Sequence, residues 1–153
     1  RAAAEETRLA AEAEERRMRE EEDRRRREAE EASRRAEEEA RRMAMLSSVY
    51  FDYDESDLRA DQMSSMSENA RRLREYKTEE NVLIEGHCDE RGTVEYNLAL
   101  GEQRANTIKT YLSDGGVMES RIETISYGEE RPAAMGHDEN SWSKNRRAEL
   151  TRK

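Results

Sequence analysis

The sequence predicts an α/β domain, a two-layer sandwich in the order β-α-β-α-β-β, preceded by a long charged α-helix. Residues 47–153 alternate short apolar runs with segments of helical periodicity, a pattern typical of helices that cover one face of a small sheet. Residues 1–46 contain no Gly or Pro and consist mainly of Ala, Glu and Arg, which are strong helix formers. We therefore predict two parts, a helix over 1–46 and a domain over 47–153.

The predicted N-terminal helix can be stable without burying apolar side chains. Each Glu–Arg pair four residues apart adds roughly 0.2–0.5 kcal/mol to a helix in water. Such pairs recur at Glu12–Arg16, Glu20–Arg24, Glu21–Arg25, Glu22–Arg26, Glu30–Arg34, Glu31–Arg35, Glu37–Arg41 and Glu38–Arg42. Met18 is the only apolar residue over 15–27, and the stripe from Ala29 to Ala40 is a weak seam for a coiled coil. A solvated single helix that acts as a spacer is favoured, and a coiled coil through the alanine stripe is the alternative.

The first three elements of the domain are a strand, a helix and a strand. Residues 47–54 (SSVYFDYD) are apolar and aromatic, which favours a strand. A helix over 60–77 is indicated by apolar residues at helical spacing from Met63 to Leu73. The short apolar run at 81–88 (NVLIEGHC) predicts the second strand.

A second helix and two strands complete the domain. Residues 94–116 have helical apolar spacing and end in Gly115-Gly116, a typical helix stop. Apolar residues alternate over 121–128, which predicts a strand. Pro and Gly at the ends of the segment 132–136 indicate a loop, and 146–153 (RRAELTRK) is the predicted last strand.

The composition excludes several classes of function. The domain over 47–153 carries 15 basic and 22 acidic residues, so it repels phosphate backbones and nucleic acid is not an expected partner. The single cysteine, Cys88, can close no intrachain disulfide and builds no cysteine-rich metal site. No apolar run approaches the length of a membrane span, and no motif for a cofactor is present.

The stretch EGHCDERGTVEYNLALGEQRA, residues 85–105, concentrates the reactive side chains. His87, Asp89 and Glu90 could ligate a metal, but neighbouring residues of a strand point to opposite faces, and no HExxH or CxxC spacing is present. A thiol enzyme would pair Cys88 with His87 or His137, and no oxyanion motif accompanies either pair. We predict neither a metal site nor a catalytic residue.

The remaining interpretation of this stretch is non-covalent recognition. Asp89 lies in the loop after a strand and Arg104 on the helix that follows, so the two can oppose each other across a cleft. A guanidinium binds a carboxylate and a carboxylate binds an ammonium group, so the pair suits a zwitterionic ligand. Asn97 shares the helix face of Arg104, and Leu100 lies close by. Spacing alone leaves open that Asp89 and Arg104 simply pair with each other.

Three segments together resemble the OmpA-like peptidoglycan-binding domain, in its branch of peptidoglycan-associated lipoproteins. They are VYFDYDESDL, EGHCDERGTVEYNLALGEQRA and ISYGEERPAAMGHDENSWSKNRRAEL, within residues 47–153. The resemblance implies non-covalent binding of the peptidoglycan stem peptide, chiefly through its diaminopimelate residue. The positions that match the family's ligand-binding residues are Asp89, Arg104, Asn97, Leu100, Phe51 and Asp52.

The resemblance also implies a cellular setting. It implies a periplasmic protein that links the outer membrane of a Gram-negative bacterium to the wall, with TolB as a partner. The lipidated N-terminal cysteine of that branch is missing from this sequence, so we expect contact with the membrane only through an anchor upstream of Arg1. The alternatives are the wall-binding domain of a motor stator or porin, an oligomerisation module built on the helix, and, least favoured, an enzyme that uses Cys88.

Overall fold

A computed structural model describes all 153 residues as two compact units, Arg1–Arg42 and Met43–Lys153. The boundary predicted after residue 46 lies slightly later than the observed one. The last residues of the predicted helix belong to the second unit, where Ala44 is buried. Each unit is described by itself.

The first unit is part of a single helix, α1 (Ala2–Ala44). Nearly all of its side chains over residues 1–42 are exposed to solvent. Ion pairs at a spacing of four line its surface, and Nη2 of Arg25 lies 2.7 Å from Oε1 of Glu21. The same distance separates the corresponding atoms of Arg35 and Glu31. Both of these pairs were predicted from spacing, and the choice between a single helix and a coiled coil stays a prediction.

The second unit contains one four-stranded sheet, in the order β1-β4-β2-β3. Its strands are β1 (Val49–Tyr50), β2 (Val82–His87), β3 (Ile122–Gly128) and β4 (Arg147–Arg152). Strands β2 and β3 are parallel, whereas β4 runs antiparallel to both β2 and β1. The last strand along the chain therefore lies in the interior of the sheet.

Three α-helices accompany the sheet: α2 (Met63–Glu75), α3 (Val94–Asp114) and α4 (Glu139–Asn145). Short 3₁₀ turns precede α2 at Ala60–Gln62 and β3 at Glu119–Arg121. No helix of the chain is both long and apolar enough to cross a membrane. The mixed α/β architecture with a long N-terminal helix confirms the predicted fold class.

The structure differs from the sequence prediction in a shorter first strand and in one additional helix. The first strand covers Val49–Tyr50 rather than 47–54, because the chain turns after Phe51: the N–H of Glu55 donates to the carbonyl of Asp52, and Asp54 has a φ of 57°. The segment after the predicted loop forms α4, where the Asp138 side chain caps the helix by accepting from the N–H of Ser141 at 3.0 Å. An N-cap Asp followed by a Glu in the first turn is a helix-start signal, and the sequence prediction did not include this helix.

The hydrophobic core lies between one face of the sheet and helices α2 and α3. Val82 and Ile84 point inward from β2 and are fully buried, together with Leu73 of α2 and Ile108 of α3. The alternate residues of β2, which include Glu85, point to the opposite face. Helices α2 and α3 thus form one layer and the sheet forms the other, as in the predicted two-layer sandwich.

Helix α3 crosses strand β2 at a contact between two glycines. A Cβ atom added to Gly86 would lie 1.7 Å from the carbonyl oxygen of Gly101, so any side chain at residue 86 would overlap the helix backbone. The two backbones can approach this closely only because neither residue has a side chain. This approach brings the next turn of α3, which carries Arg104, to the end of β2.

Candidate functional site

A small cavity lies where the end of β2, the following loop and the first turns of α3 meet. Thr93 caps the helix by accepting a hydrogen bond from the N–H of Tyr96 at 3.1 Å, which fixes where the loop ends and the helix begins. The cavity has a volume of about 40 Å³. Its walls are formed by Tyr53, Asp54, Cys88, Asp89, Arg91, Gly92, Tyr96, Asn97, Leu100 and Arg104.

Arg104 reaches the cavity from α3 and is almost completely buried, with 1% of its surface exposed. Its Nε and Nη2 donate to the carbonyls of Glu55 and Asp52 at 2.9 and 3.1 Å, and Nη1 donates to that of His87 at 2.8 Å. Burial lowers the pKa of Arg104, but a guanidinium starts so high that it stays charged. A guanidinium has five N–H groups. Three are used by backbone carbonyls, so two remain for an anionic ligand.

Asp89 lies in the loop after β2, lines the cavity and is 4% exposed. Its Oδ1 accepts from the backbone N–H of Arg91 at 3.0 Å and from Nε of the same residue at 3.2 Å, and Oδ2 accepts from Nη2 at 2.8 Å. The nearest guanidinium nitrogen of Arg146 is 3.6 Å from Oδ2. Burial would raise the pKa of Asp89, but the hydrogen bonds from Arg91 outweigh it and hold that pKa below its usual range. Asp89 is therefore an anion at neutral pH.

The structure brings four of the six predicted binding residues to one cavity: Asp89, Arg104, Asn97 and Leu100. The amide nitrogen of Asn97 donates to the carbonyls of Asp89 and Arg91, at 3.3 and 3.0 Å, and so holds the loop against the helix. Leu100 contributes an apolar wall and is 7% exposed.

Phe51 and Asp52 do not line the cavity. Phe51 is fully buried in the core. The centre of its ring lies 5.3 Å from the guanidinium carbon of Arg104, so the ring packs against that side chain. Asp52 supplies a backbone carbonyl to Arg104, while its exposed carboxylate lies 3.7 Å from Nε of Arg59. Both residues position Arg104, and a direct contact of either with a ligand stays a prediction.

Comparison with known proteins places this geometry in a family. The OmpA family model matches residues 50–146, which include the whole cavity. The chain belongs to the OmpA family. The predicted resemblance to that family is confirmed.

Several relatives share this OmpA-family region. The chain is 49% identical over 105 residues to a peptidoglycan-associated lipoprotein of Pseudomonas aeruginosa, covering 69% of this chain and 61% of that protein. It is 46% identical over 104 residues to one of Haemophilus influenzae, covering 68% and 67% of the two chains. The first of these alignments spans about three fifths of the relative's own length.

Solved structures share the same architecture. The crystal structure of the peptidoglycan-associated lipoprotein from Burkholderia pseudomallei matches with a TM-score of 0.66 and 43% identity, covering 69% of this chain and 89% of that one. The C-terminal domain of Helicobacter pylori MotB matches with the same TM-score at 19% identity, covering 71% of this chain and 85% of that one. At that level of identity, the likeness to MotB shows the fold alone.

The aromatic side of this OmpA-family cavity was not predicted from the sequence. The guanidinium carbon of Arg91 lies 3.8 Å from the ring centre of Tyr53 and 4.1 Å from that of Trp142. The hydroxyl of Tyr96 donates to the carboxylate of Asp54 at the rim. These contacts join segments far apart along the chain, and no spacing rule could have connected them.

Each of the two histidines contacts an acidic side chain of the protein. His137 lies against Glu90, with its Nδ1 2.7 Å from Oε1. On the opposite sheet face, Glu85, His87 and Glu149 could together approach a metal ion. Nε of Arg147 donates to Glu149 at 2.7 Å, so this cluster already holds a cation. His87, Asp89 and Glu90, which the sequence offered as possible metal ligands without a metal site being predicted, are not brought together as one group.

The thiol of Cys88 is expected to react slowly with alkylating and disulfide reagents. Cys88 is 3% exposed and donates to the carbonyl of Asn97 at 3.2 Å, and burial raises its pKa to about 11. At pH 8 the thiolate fraction is then roughly 100-fold below that of an ordinary cysteine with a pKa near 9.0. Timed reaction with Ellman's reagent in native buffer and in 6 M guanidinium would measure the difference. Equal rates in both would contradict the buried, protonated thiol.

Proposed function

We propose that the domain binds the peptide stem of peptidoglycan, and does so without covalent chemistry. The observation that carries this proposal is one cavity lined by a buried arginine with unused N–H groups and a buried, ionised aspartate. A molecule that carries a carboxylate and an ammonium group close together complements both charges. Diaminopimelate, the residue that the resemblance implies, is such a molecule.

The two charges differ in how they would recognise a ligand. The two remaining N–H groups of Arg104 are available to the ligand's carboxylate, and the three backbone contacts keep the guanidinium in place whether or not ligand is bound. Asp89 would accept the ammonium group. Asp89 is held in its loop by hydrogen bonds and Arg104 lies on a helix, and two charges in fixed positions favour one orientation of the ligand.

Wall binding gives this domain the role of an anchor. We propose that it ties an envelope component to the wall in the periplasm, in association with the outer membrane, and that TolB is a protein partner. The names of the relatives, peptidoglycan-associated lipoproteins, support this role. We also propose that the domain is not an enzyme, since its one thiol is protonated and donates to a backbone carbonyl rather than to a side chain that could take its proton.

Substituting Asp89 tests the proposed function. Asp89→Asn keeps the shape of the side chain and removes its charge, so we expect retention on purified sacculi to fall about 10-fold or more, the scale of one charge-assisted hydrogen bond. Asp61→Asn is the matched control, because Asp61 also pairs with an arginine two residues away but lies outside the cavity. Co-sedimentation with sacculi, quantified on gels, gives the retained fraction.

The comparison is decisive only for folded variants. Circular dichroism and melting temperature establish that Asp89→Asn retains the native structure. If this variant is folded and sediments with sacculi as well as the Asp61→Asn control does, the cavity is not the wall-binding site.

A further inference from the structure

The carboxylate that would receive a ligand's ammonium group already holds a cation. Three hydrogen bonds link Asp89 to Arg91, and two of them come from the guanidinium. A ligand that carries an ammonium group must therefore compete with a side chain of the protein itself. This conclusion rests on the proposed function, because it concerns the same cavity.

The cavity in this form can enclose only a small part of a ligand. Its volume of about 40 Å³ accommodates about one water molecule. Small-molecule sites in proteins usually measure roughly 300–1,000 Å³. An outward movement of one wall would let an amino acid enter more deeply.

Among the charged residues that line the cavity, Arg91 is the best placed to move. Arg104 and Asn97 are nearly fully buried and bonded to backbone carbonyls, whereas the Arg91 side chain is 28% exposed. A second anion, Glu139, lies 4.0 Å from Nη2 of Arg91 and is 66% exposed, and it is shared with Arg146, whose Nη2 lies 2.7 Å from its Oε1. The guanidinium is stacked against the ring of Trp142, on the element that carries Glu139. A rotation of Arg91 away from Asp89 toward Glu139 would keep its guanidinium next to an anion, on the side of Trp142.

We propose that Arg91 is a displaceable counter-ion that closes the cavity, and that the ammonium group of the ligand replaces it on Asp89. Arg91 thereby determines specificity. A ligand with a free ammonium group can take over the contact with Asp89, and one whose amine is acylated offers no cation in exchange. In the free protein Arg91 lowers the apparent affinity, because only the fraction of molecules with Asp89 uncovered can bind.

Binding of a defined ligand to the full chain tests this exchange. By isothermal titration calorimetry, Arg91→Gln should bind diaminopimelate about five-fold tighter than the unsubstituted chain, because the cation hydrogen-bonded to Asp89 is gone and only Arg146, 3.6 Å away, remains. Arg91→Lys should fall between the two. Arg131→Gln is the matched control, because Arg131 also stacks on an aromatic ring, that of Tyr127 at 3.7 Å, but does not line the cavity. Diaminopimelate acetylated on both amines should bind all four proteins weakly.

A spectroscopic measurement reports the displacement directly. In ¹⁵N-labelled protein, the Nε–H signal of Arg91, assigned by its absence in Arg91→Gln, should shift when diaminopimelate saturates the site. The corresponding signal of Arg104, which donates to Glu55, should remain protected from exchange with solvent.

The outcomes separate the two proposals. If Arg91→Gln binds diaminopimelate equally well or more weakly, or if the Arg91 signal does not move on saturation, the exchange is refuted while wall binding stands. If the unsubstituted chain binds neither sacculi nor diaminopimelate, the proposed function fails and the exchange fails with it.

Discussion

Replacing Arg104 by methionine is expected to destabilise the domain by about 4 kcal/mol and to abolish ligand binding. Methionine fills a similar space but leaves three buried carbonyls, those of Glu55, Asp52 and His87, without their donor. Each unsatisfied buried group costs roughly 1–3 kcal/mol, and removing the desolvated charge offsets part of that sum. Urea unfolding followed by tryptophan fluorescence measures the change.

Two further variants control the Arg104 measurement. Lys109→Met removes a cation from the same helix, but Lys109 is partly exposed and pairs only with exposed Glu119, so a change below about 1 kcal/mol is expected. Arg104→Lys keeps the charge and loses the planar arrangement of donors, so it should fall between the two. A stability of Arg104→Met equal to that of Lys109→Met would show that the buried contacts of Arg104 contribute little.

Replacing Gly86 by alanine is expected to destabilise the domain by about 3 kcal/mol or more, with loss of native sheet structure as the extreme result. The new Cβ would lie 1.7 Å from the carbonyl oxygen of Gly101, and neither backbone can move without shifting α3 along its whole contact with the sheet. Because α3 carries Arg104, the same shift should also weaken ligand binding. Thermal unfolding and sacculus co-sedimentation report the two effects.

The partner glycine provides a graded control. A Cβ on Gly101 would meet the hydroxyl of Ser126 at 2.2 Å and the carbonyl oxygen of Gly86 at 2.9 Å, so most of the overlap involves a removable side-chain atom. Gly101→Ala should therefore be less destabilising than Gly86→Ala, and adding Ser126→Ala should restore part of the loss. If Gly86→Ala melts like the unsubstituted chain, the helix does not depend on this close approach.

Much of the fold and the two opposed charges could be predicted because they depend on local order along the chain. The periodicity of residues 94–116 located α3, and the position of Asp89 directly after β2 placed it near the first turns of that helix. The strand order could not be derived, because the pairing of β4 with β1 and β2 depends on packing across the whole domain.

The rest of the candidate site escaped sequence reasoning for a related reason. Arg91 is placed by rings from two distant segments, Tyr53 and Trp142, and its neighbours in the sequence give no hint of either. Phe51 and Asp52 were associated with the ligand by resemblance, whereas their observed contacts are with Arg104. Neighbourhood along the chain predicted that Asp89 and Arg104 line the cavity. It did not predict that Arg91 is bonded to Asp89 there.

The position of β4 makes the order of synthesis matter for this domain. Until Arg147–Arg152 has left the ribosome, β1 has no neighbour and β2 lacks one of its two hydrogen-bonded partners. A nascent chain that stops short of these residues therefore exposes two unpaired strand edges, which are sites for aggregation. Deletion of Arg147–Arg152 would likewise remove a strand from the middle of the sheet, because β4 pairs with both β1 and β2.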